Sequence, residues 1–348
     1  MPDPLLASWS LAPLIGAFVF GAGVIAVVGT RLTVTADALA DRARLGEAVV
    51  GGLLLGAVTS ISGTVLSVSA ASAGAADLAM GNALGGLAAQ TAFLVIVDLV
   101  YRPANLEHAA ASPANIMQGV VLICSLSILM LAAFAPEWIV WQVHPGTPLL
   151  LAAYGFGMWG VKRTRDDPMW RPEWTEETRI DEPDPSHESL SLPRLWFRFA
   201  AFGFVLAAAG WALRHLASEI VGRSVLDEAV MGLLFTSVAT SLPELVTTIA
   251  AVRRGALTLA ISGIIGGNAY DTLFAAFSDV AYREGSIYHT MDDTLLFWVA
   301  VNVLMTAILL LGMLHRQRRG PGNIGFESVL LLIVYVVAVV VLWTSGGV

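Results

Sequence analysis

The sequence has few charged side chains and almost no cysteine. Only 13% of its 348 residues are Asp, Glu, Lys or Arg, whereas 56% are hydrophobic and the mean hydropathy is +0.74. Soluble globular proteins carry about 25% charged residues, so the composition excludes an ordinary soluble enzyme and a disordered chain. The net charge of −8 has the wrong sign for a nucleic-acid-binding protein. The single cysteine, Cys124, excludes a disulfide framework and a cysteine-based zinc site.

The sequence also lacks the motifs of nucleotide-driven pumps and membrane enzymes. It contains no G-x-x-x-x-G-K-[ST] loop, so we expect no nucleotide partner. H-E-x-x-H and G-x-S-x-G are absent, and no G-x-G-D accompanies Tyr270-Asp271, which argues against an intramembrane protease. We therefore expect an ion-driven transporter rather than an enzyme, without a cofactor. Its expected partners are inorganic cations and the lipid bilayer, and the sequence identifies no partner protein.

Long apolar runs predict an all-α polytopic membrane protein with ten transmembrane helices. A span needs about 20 predominantly apolar residues. The fifth predicted span is interrupted by Gln142, His144 and neighbouring Pro and Gly residues, so the ends of spans four and five stay open. The predicted spans cover residues 11–32, 47–73, 77–100, 116–135, 138–161, 195–217, 226–252, 256–282, 293–314 and 325–344.

The distribution of Lys and Arg favours ten spans with both termini outside the cytoplasm. That arrangement places 16 of the 19 basic residues on the cytoplasmic side, as the positive-inside rule requires. Fusing spans four and five would leave only 7 inside and 12 outside. The polar segment 162–193 then becomes a cytoplasmic linker. With no signal peptide and no large regulatory domain in sight, we expect a prokaryotic plasma membrane.

The sequence contains an internal repeat. Residues 29–102 align without a gap to residues 210–283, at an offset of 181, and matched Gly, Asp, Glu and Arg residues hold this register. The offset carries five spans, an odd number, so the second copy enters the membrane from the opposite side. Inverted repeats are typical of secondary transporters, with the substrate site near the midplane. We expect two five-helix repeats, 1–161 and 194–348, containing α-repeats at about 45–102 and 226–283.

Span seven carries a carboxylate deep in apolar sequence. Pro243 lacks an N–H and is expected to break the helix, and Glu244 follows it directly. An ionised carboxylate at mid-membrane costs at least about 2.5–3.5 kcal/mol, so it needs a function or a partner. Together with the hydroxyls of Thr240 and Ser241 it offers hard oxygen ligands, which suit Na⁺ or Ca²⁺. The alternative is a proline kink with a protonated or paired glutamate.

Span eight adds an amide and a second acid, Asn268 and Asp271. They are three residues apart and therefore share one helical face. Asn268 could instead form an ordinary interhelical hydrogen bond. Asp271 has no basic residue within span seven or eight to neutralise it.

These two segments resemble a known family. Ala239-Thr-Ser-Leu-Pro-Glu-Leu245, followed by Gly263-Ile-Ile-Gly-Gly-Asn-Ala-Tyr-Asp271, is similar to the α-repeat of the sodium/calcium exchanger superfamily of cation antiporters. The resemblance implies the ten-helix fold and one central site that binds Ca²⁺ and Na⁺ competitively. It implies that Glu244 and Asp271 are the metal ligands. It adds supporting residues from both repeats: Thr240, Ser241, Asn268, Thr59, Ser60 and Gln90.

The first repeat departs from the family pattern. At the offset of 181, Ser62 replaces Pro243, Gly63 replaces Glu244, Leu87 replaces Asn268 and Gln90 replaces Asp271. Gly63 could still allow a second helix break with free carbonyls, but the expected first glutamate is missing. Losing one charge near a divalent ion weakens its binding by several kcal/mol. We therefore expect exchange of Na⁺ for H⁺, or Ca²⁺ transport with reduced affinity. A transport-inactive scaffold or sensor is the lesser alternative.

Overall fold

The computed structural model describes residues 8–179, 184–221, 223, 237–320 and 324–345. These residues form an all-helical structure, apart from one isolated bridge between Val140 and Val143. The helices are α1 (Leu11–Arg42), α2 (Glu47–Thr59), α3 (Ile61–Ser72), α4 (Ala76–Val100), α5 (Leu106–Ala109), α6 (Pro113–Phe134), α7 (Gly146–Asp166), α8 (Leu192–Val221), α9 (Leu242–Arg254), α10 (Leu257–Asp271), α11 (Leu273–Ala281), α12 (Asp293–His315) and α13 (Phe326–Ser345). Short 3₁₀ turns lie at Pro185–Ser189 and Ile287–Thr290.

Six of the described helices, α1, α4, α6, α8, α12 and α13, are individually long and apolar enough to cross a membrane. The pair α2–α3, bent by 51° at its break, would count as a seventh. The sequence predicted ten spans. The difference arises where the chain is broken or polar: α10 and α11 are separated at Thr272, and α7 ends in a charged turn. Much of predicted span seven, 226–236, lies outside the described residues.

The helix breaks fall at two serines rather than at the residues predicted from the sequence. α3 begins after Ser60 and α9 begins after Ser241, positions that are equivalent at the offset of 181. Gly63, predicted as a break, lies inside α3 instead, because helical hydrogen bonding resumes with Thr64 N–H to Ser60 O at 2.9 Å. The break assigned to Pro243 is likewise shifted. Proline occupies the first turn of α9, where its missing N–H costs no hydrogen bond.

The two halves also turn in the same way before α4 and α10. Gly74 and Gly255 both adopt left-handed backbone angles, with φ of 79° and 83°, which glycine reaches without a steric penalty. The following residue closes an equivalent bond in each half: Ala75 N–H to Ala70 O, and Ala256 N–H to Ala251 O. The glycines matched in the sequence repeat therefore end matched helices.

Close backbone contact brings α2 against α10. The added Cβ of an alanine at Gly266 would lie only 2.2 Å from the Cα of Gly52, and one at Gly56 would lie 2.7 Å from the Cα of Gly267. The part of α2 in this contact, Val50–Leu55, is a widened π-helical segment. Such segments are rare and often occur at functional sites. α1 packs along α8 and α9 at the side of this core.

Two buried aspartates fix the ends of α4 and α11. Asp98 accepts hydrogen bonds from Leu106 N, Gly325 N and Ser328 Oγ, and Asp279 accepts them from Ile287 N, His144 N and Thr147 Oγ1. Every donor in the first set is equivalent to one in the second at the offset of 181. Each aspartate therefore anchors the helix end of its own half to the first turn of a helix that belongs to the other half of the chain.

Candidate cation site

The breaks and the close crossing surround one small buried cavity. Its volume is about 10 Å³, which is about the space that one water molecule needs. Eight of the ten residues predicted for the site line it: Thr59, Ser60, Gly63, Gln90, Thr240, Ser241, Glu244 and Asp271. Asn268 and Pro243 do not. The lining residues come from α2, α3, α4, α9, α10 and α11 and from the segments before α3 and α9, so the cavity lies where the two halves meet.

The carboxyl groups of Glu244 and Asp271 share this cavity. Their side chains are only 3% and 2% exposed, and the two like charges repel each other. The hydroxyl of Ser60 lies beside both carboxyls. Because like charges this close in a buried site are unfavourable, the pair favours a bound cation or proton.

Several oxygens at the site have no hydrogen-bond partner within the described part of the chain. They are Ser60 Oγ, Gln90 Oε1, Glu244 Oε2, Asp271 Oδ1 and Asn268 Oδ1. Buried polar atoms are nearly always paired, and each exception needs an explanation. All five atoms are oxygens, the ligand type of hard cations such as Na⁺ and Ca²⁺.

The threonines beside the two breaks use their protons on the backbone. Thr59 Oγ1 donates to the carbonyls of Leu55 and Gly56, each at 3.0 Å, and Thr240 Oγ1 donates to Ser237 O at 3.0 Å. Their lone pairs therefore remain available toward the cavity. These hydroxyl oxygens can therefore act as acceptors or as cation ligands.

Two contacts join residues that are equivalent in the repeat. Gln90 Nε2 donates to Asp271 Oδ2 at 2.8 Å, and Asn268 Nδ2 donates to the carbonyl oxygen of Leu87 at 3.3 Å. Residues related by a two-fold axis contact their own equivalents only close to that axis. Asn268 also donates to Thr91 Oγ1 at 2.8 Å. Asn268 therefore holds α10 against α4 beside the cavity. The interhelical hydrogen bond that the sequence analysis gave as the alternative role of Asn268 is present.

Four residues that line the cavity were not predicted as site residues: Ser62, Asn82, Gly86 and Phe274. Asn82 Nδ2 donates to Gly63 O at 3.2 Å and to Ser67 Oγ at 2.9 Å. The ring of Phe274 fills the space beside Gly63, where an added Cβ would lie 2.8 Å from Cε2. An amide in an apolar span is a sequence signal that could have indicated Asn82. Phe274 carries no such signal, because its place depends on the packing of α11 against α3.

Within the described ranges, no three His, Cys, Asp or Glu side chains form a metal-binding group. The cavity instead combines two carboxylates with hydroxyl and amide oxygens. Such a set of oxygens is chemically suited to a dehydrated alkali or alkaline-earth cation. Apolar helices of spanning length around a buried, oxygen-lined cavity define an integral membrane protein of the ion-transporting class.

Comparison with known proteins identifies the family. The chain matches the family described as sodium/calcium exchanger protein over residues 13–159 and 194–344, so it belongs to that family, and the expected resemblance is confirmed. It is 24% identical over 299 residues to CaxA of Alkalimonas amylolytica, a proposed antiporter, covering 84% of this chain and 89% of that protein. It is 23% identical over 294 residues to the inner membrane protein YrbG of Escherichia coli, covering 84% and 86%.

A solved structure has the same fold. The sodium-calcium exchanger NCX_Mj, soaked with 100 mM Na⁺ and 10 mM Sr²⁺, superposes with a TM-score of 0.69 at 16% identity. The match covers 95% of this chain and 99% of that one. The family is one of cation antiporters, so this chain is a membrane transporter and not an enzyme.

Proposed function

We propose that the protein is a secondary active cation antiporter that works by alternating access, with one ion site centred on Glu244 and Asp271. The observation that carries this proposal is the cavity itself: two buried carboxyls facing oxygens that have no hydrogen-bond partner in the described structure. Ser60, Thr59, Gln90, Thr240 and Ser241 complete the ligand set. Asn268 positions α10 rather than binding the ion directly.

The proposed architecture is two inverted five-helix repeats, 1–161 and 194–348, joined by the linker 162–193. Ten spans would place both termini outside the cytoplasm and the linker inside, in a prokaryotic plasma membrane. The paired aspartate anchors and the contacts between equivalent residues at the site support this symmetry. An inverted repeat allows the halves to exchange conformations, which opens the site alternately to each side. α1 and α8 would then move across the core that holds the site.

The transported ions are Na⁺, Ca²⁺ or H⁺. Two carboxylates can balance one Ca²⁺, two Na⁺ or two protons, so charge alone allows Na⁺/Ca²⁺ exchange. The second candidate is Na⁺/H⁺ exchange, which the missing carboxylate at Gly63 favours, because Phe274 occupies the adjacent space. With one negative charge fewer than a three-acid site, divalent affinity falls more than monovalent affinity. A transport-inactive scaffold with the same fold is the lesser alternative.

Flux measurements on purified protein in proteoliposomes test the proposal. Gradients of Na⁺, Ca²⁺, K⁺ and H⁺ are imposed one at a time on wild type, Glu244→Gln and Asp271→Asn. We expect counterflow of two of these cations in wild type and its loss in both variants. The matched control is Asp293→Asn, an exposed acid on α12, which should transport normally. Folded wild-type protein without any flux would leave only the scaffold alternative.

A further inference from the structure

A second group of buried carboxyl groups lies outside the cavity that holds Glu244 and Asp271. Asp98 at the end of α4, Glu107 on the short helix α5 and Glu327 in the first turn of α13 are all fully buried. The Glu107 carboxyl lies beside those of Glu327 and Asp98. Three buried acids in one place need donors or a bound positive charge.

Asp98 has its donors, but the two glutamates do not. The oxygens of Asp98 accept hydrogen bonds from two backbone N–H groups and from the Ser328 hydroxyl. Among the described residues, Asn105 is the hydrogen-bond partner of Glu327: its amide nitrogen donates to Glu327 Oε1. Both oxygens of Glu107, Glu327 Oε2 and the side-chain amide oxygen Oδ1 of Asn105 have no hydrogen-bond partner among the described residues. Asn105 is itself only 1% exposed, and its side chain is held against Glu327.

The equivalent place in the other half of the molecule holds only one carboxyl group, that of Asp279. At the offset of 181, Tyr288 stands in place of Glu107, and Gly146 stands in place of Glu327. The Tyr288 hydroxyl pairs with Thr147 Oγ1 at 2.7 Å, and Thr147 Oγ1 donates to Asp279 at 2.7 Å. That network is satisfied with a single carboxylate. The first half has the same aspartate anchor but adds two carboxyls to it.

The basic side chains on the packed segments are engaged elsewhere. The His108 ring contacts Arg316 O and Thr175 Oγ1, and the Arg316 guanidinium donates to His108 O, Thr178 Oγ1 and Glu173 O. Arg318 pairs with Glu177, and the His315 ring packs on Phe326. Tyr101 and Arg102 are the titratable groups that follow α4. The charges that act on Glu107 are the negative charges of Asp98 and Glu327. Burial and this repulsion raise the pKa of Glu107 well above its usual range.

We propose that Glu107 and Glu327 form a proton-binding site, in which one shared proton joins the two carboxyls. The proton comes from water, and the protonated carboxyl donates its O–H to the other. Two adjacent carboxyls that cannot both ionise behave this way in known acid pairs. The hydrogen bond made by the shared proton joins α5 to the first turn of α13. Its release leaves two repelling charges between them.

A proton fits this place better than a metal ion. Ca²⁺ takes six to eight oxygen ligands, whereas three carboxylate oxygens and one amide oxygen are free here. Within the residues that the structure describes, no metal-binding group of three acids or histidines is present. The site is separate from Glu244 and Asp271, so the proposal stands whichever ions the protein transports.

Infrared difference spectroscopy and thermal unfolding of the purified full-length protein test the proposal. In a Glu244→Gln/Asp271→Asn background, which removes the other buried acid pair, the protein should show the C=O band of a protonated carboxylic acid that shifts in D₂O and is lost as pH rises. In the same background, that band should be absent from Glu107→Gln and Glu327→Gln. Because the pKa of Glu107 is raised in the folded state, the shared proton stabilises the fold at low pH. This stabilisation declines as pH rises through that folded-state pKa. As pH rises above about 5, wild-type Tm should therefore fall more steeply than that of Glu107→Gln.

Tyr288→Phe is the matched control, since it disturbs the equivalent place in the other half without removing an acid. It should lower Tm at all pH values and leave the pH slope unchanged. An unchanged slope in both Gln variants, or a C=O band that survives in both, would overturn the proposal. So would stabilisation by Na⁺ or Ca²⁺ at high pH that is lost in Glu107→Gln but kept in Glu244→Gln, because the occupant would then be a metal ion.

Discussion

The missing side chain at residue 63 limits how much negative charge the proposed cation site holds. At the equivalent position of the second half, Glu244 supplies a carboxylate, whereas Gly63 supplies none. The space is not empty, since the Phe274 ring lies against the position that a Cβ would take. Glycine and phenylalanine therefore act as a pair. Restoring the acid without moving the ring would force a clash at 2.8 Å.

We expect Gly63→Glu combined with Phe274→Ala to raise Ca²⁺ affinity at least about tenfold, because a third carboxylate adds several kcal/mol of attraction to a divalent ion. Isothermal titration calorimetry measures the change. Gly63→Glu alone should gain less, and Phe274→Ala alone should gain nothing. If the double variant binds Ca²⁺ no better than wild type, a side chain at residue 63 does not contact the bound ion.

Glycine contacts between α2 and α10 decide how closely the two halves approach at the site. Gly266 faces the backbone of Gly52, whereas Gly263, one turn earlier on α10, has only Leu55 Cδ2 within 4 Å, at 3.8 Å. The two glycines look alike in the sequence. Only the crossing of the helices makes them different.

Gly266→Ala should destabilise the protein by about 1–3 kcal/mol, because the new methyl group would lie 2.2 Å from a backbone atom that cannot move aside alone. Gly263→Ala should be tolerated, since its contact is ordinary and alanine favours the helix. Thermal unfolding in detergent compares them. Equal Tm values for the two variants would contradict the close crossing.

The paired aspartate anchors make a second element-scale prediction. Thr147→Val keeps the side-chain shape but removes the donor to Asp279 Oδ2 and the partner of Tyr288. We expect a loss of about 1–3 kcal/mol, the cost of leaving a buried acceptor unsatisfied. Thr306→Val is the control, because that hydroxyl bonds only its own helix, to Asn302 O at 2.7 Å. Equal losses in both would mean that the anchor adds nothing.

Much of this arrangement could be predicted from the sequence, but not its three-dimensional contacts. The length of the apolar runs indicated the helices, and the Glu244 and Asp271 motifs indicated which side chains meet at the cavity. The break at Ser60 was misplaced to Gly63, because glycine marks backbone freedom, while the actual break depends on how α2 widens against α10. The roles of Asp98 and Asp279 as anchors depend on contacts between segments that are 132 to 230 residues apart, which no local pattern encodes.

At the scale of the whole molecule, the linker and the loop between α6 and α7 should lie on opposite sides of the membrane if there are ten spans. Each region holds a side chain with almost full exposure: Met169 after α7 and Trp141 before it are both 93% exposed. If α6 and α7 formed one span, Met169 would move to the outer side. These two residues therefore report the topology directly.

Cysteine labelling in a Cys124→Ala background tests this topology, because Cys124 is the single native cysteine. With a membrane-impermeant maleimide, we expect Trp141→Cys to react in intact cells and Met169→Cys to react only in inside-out vesicles. The physical reason is the positive-inside rule: 7 of the basic residues fall in and beside the segment 162–193. Labelling after detergent solubilisation confirms that both thiols are reactive. Reaction of Met169→Cys in intact cells would refute the ten-span arrangement and, with it, the inversion that relates the two halves of the cation site.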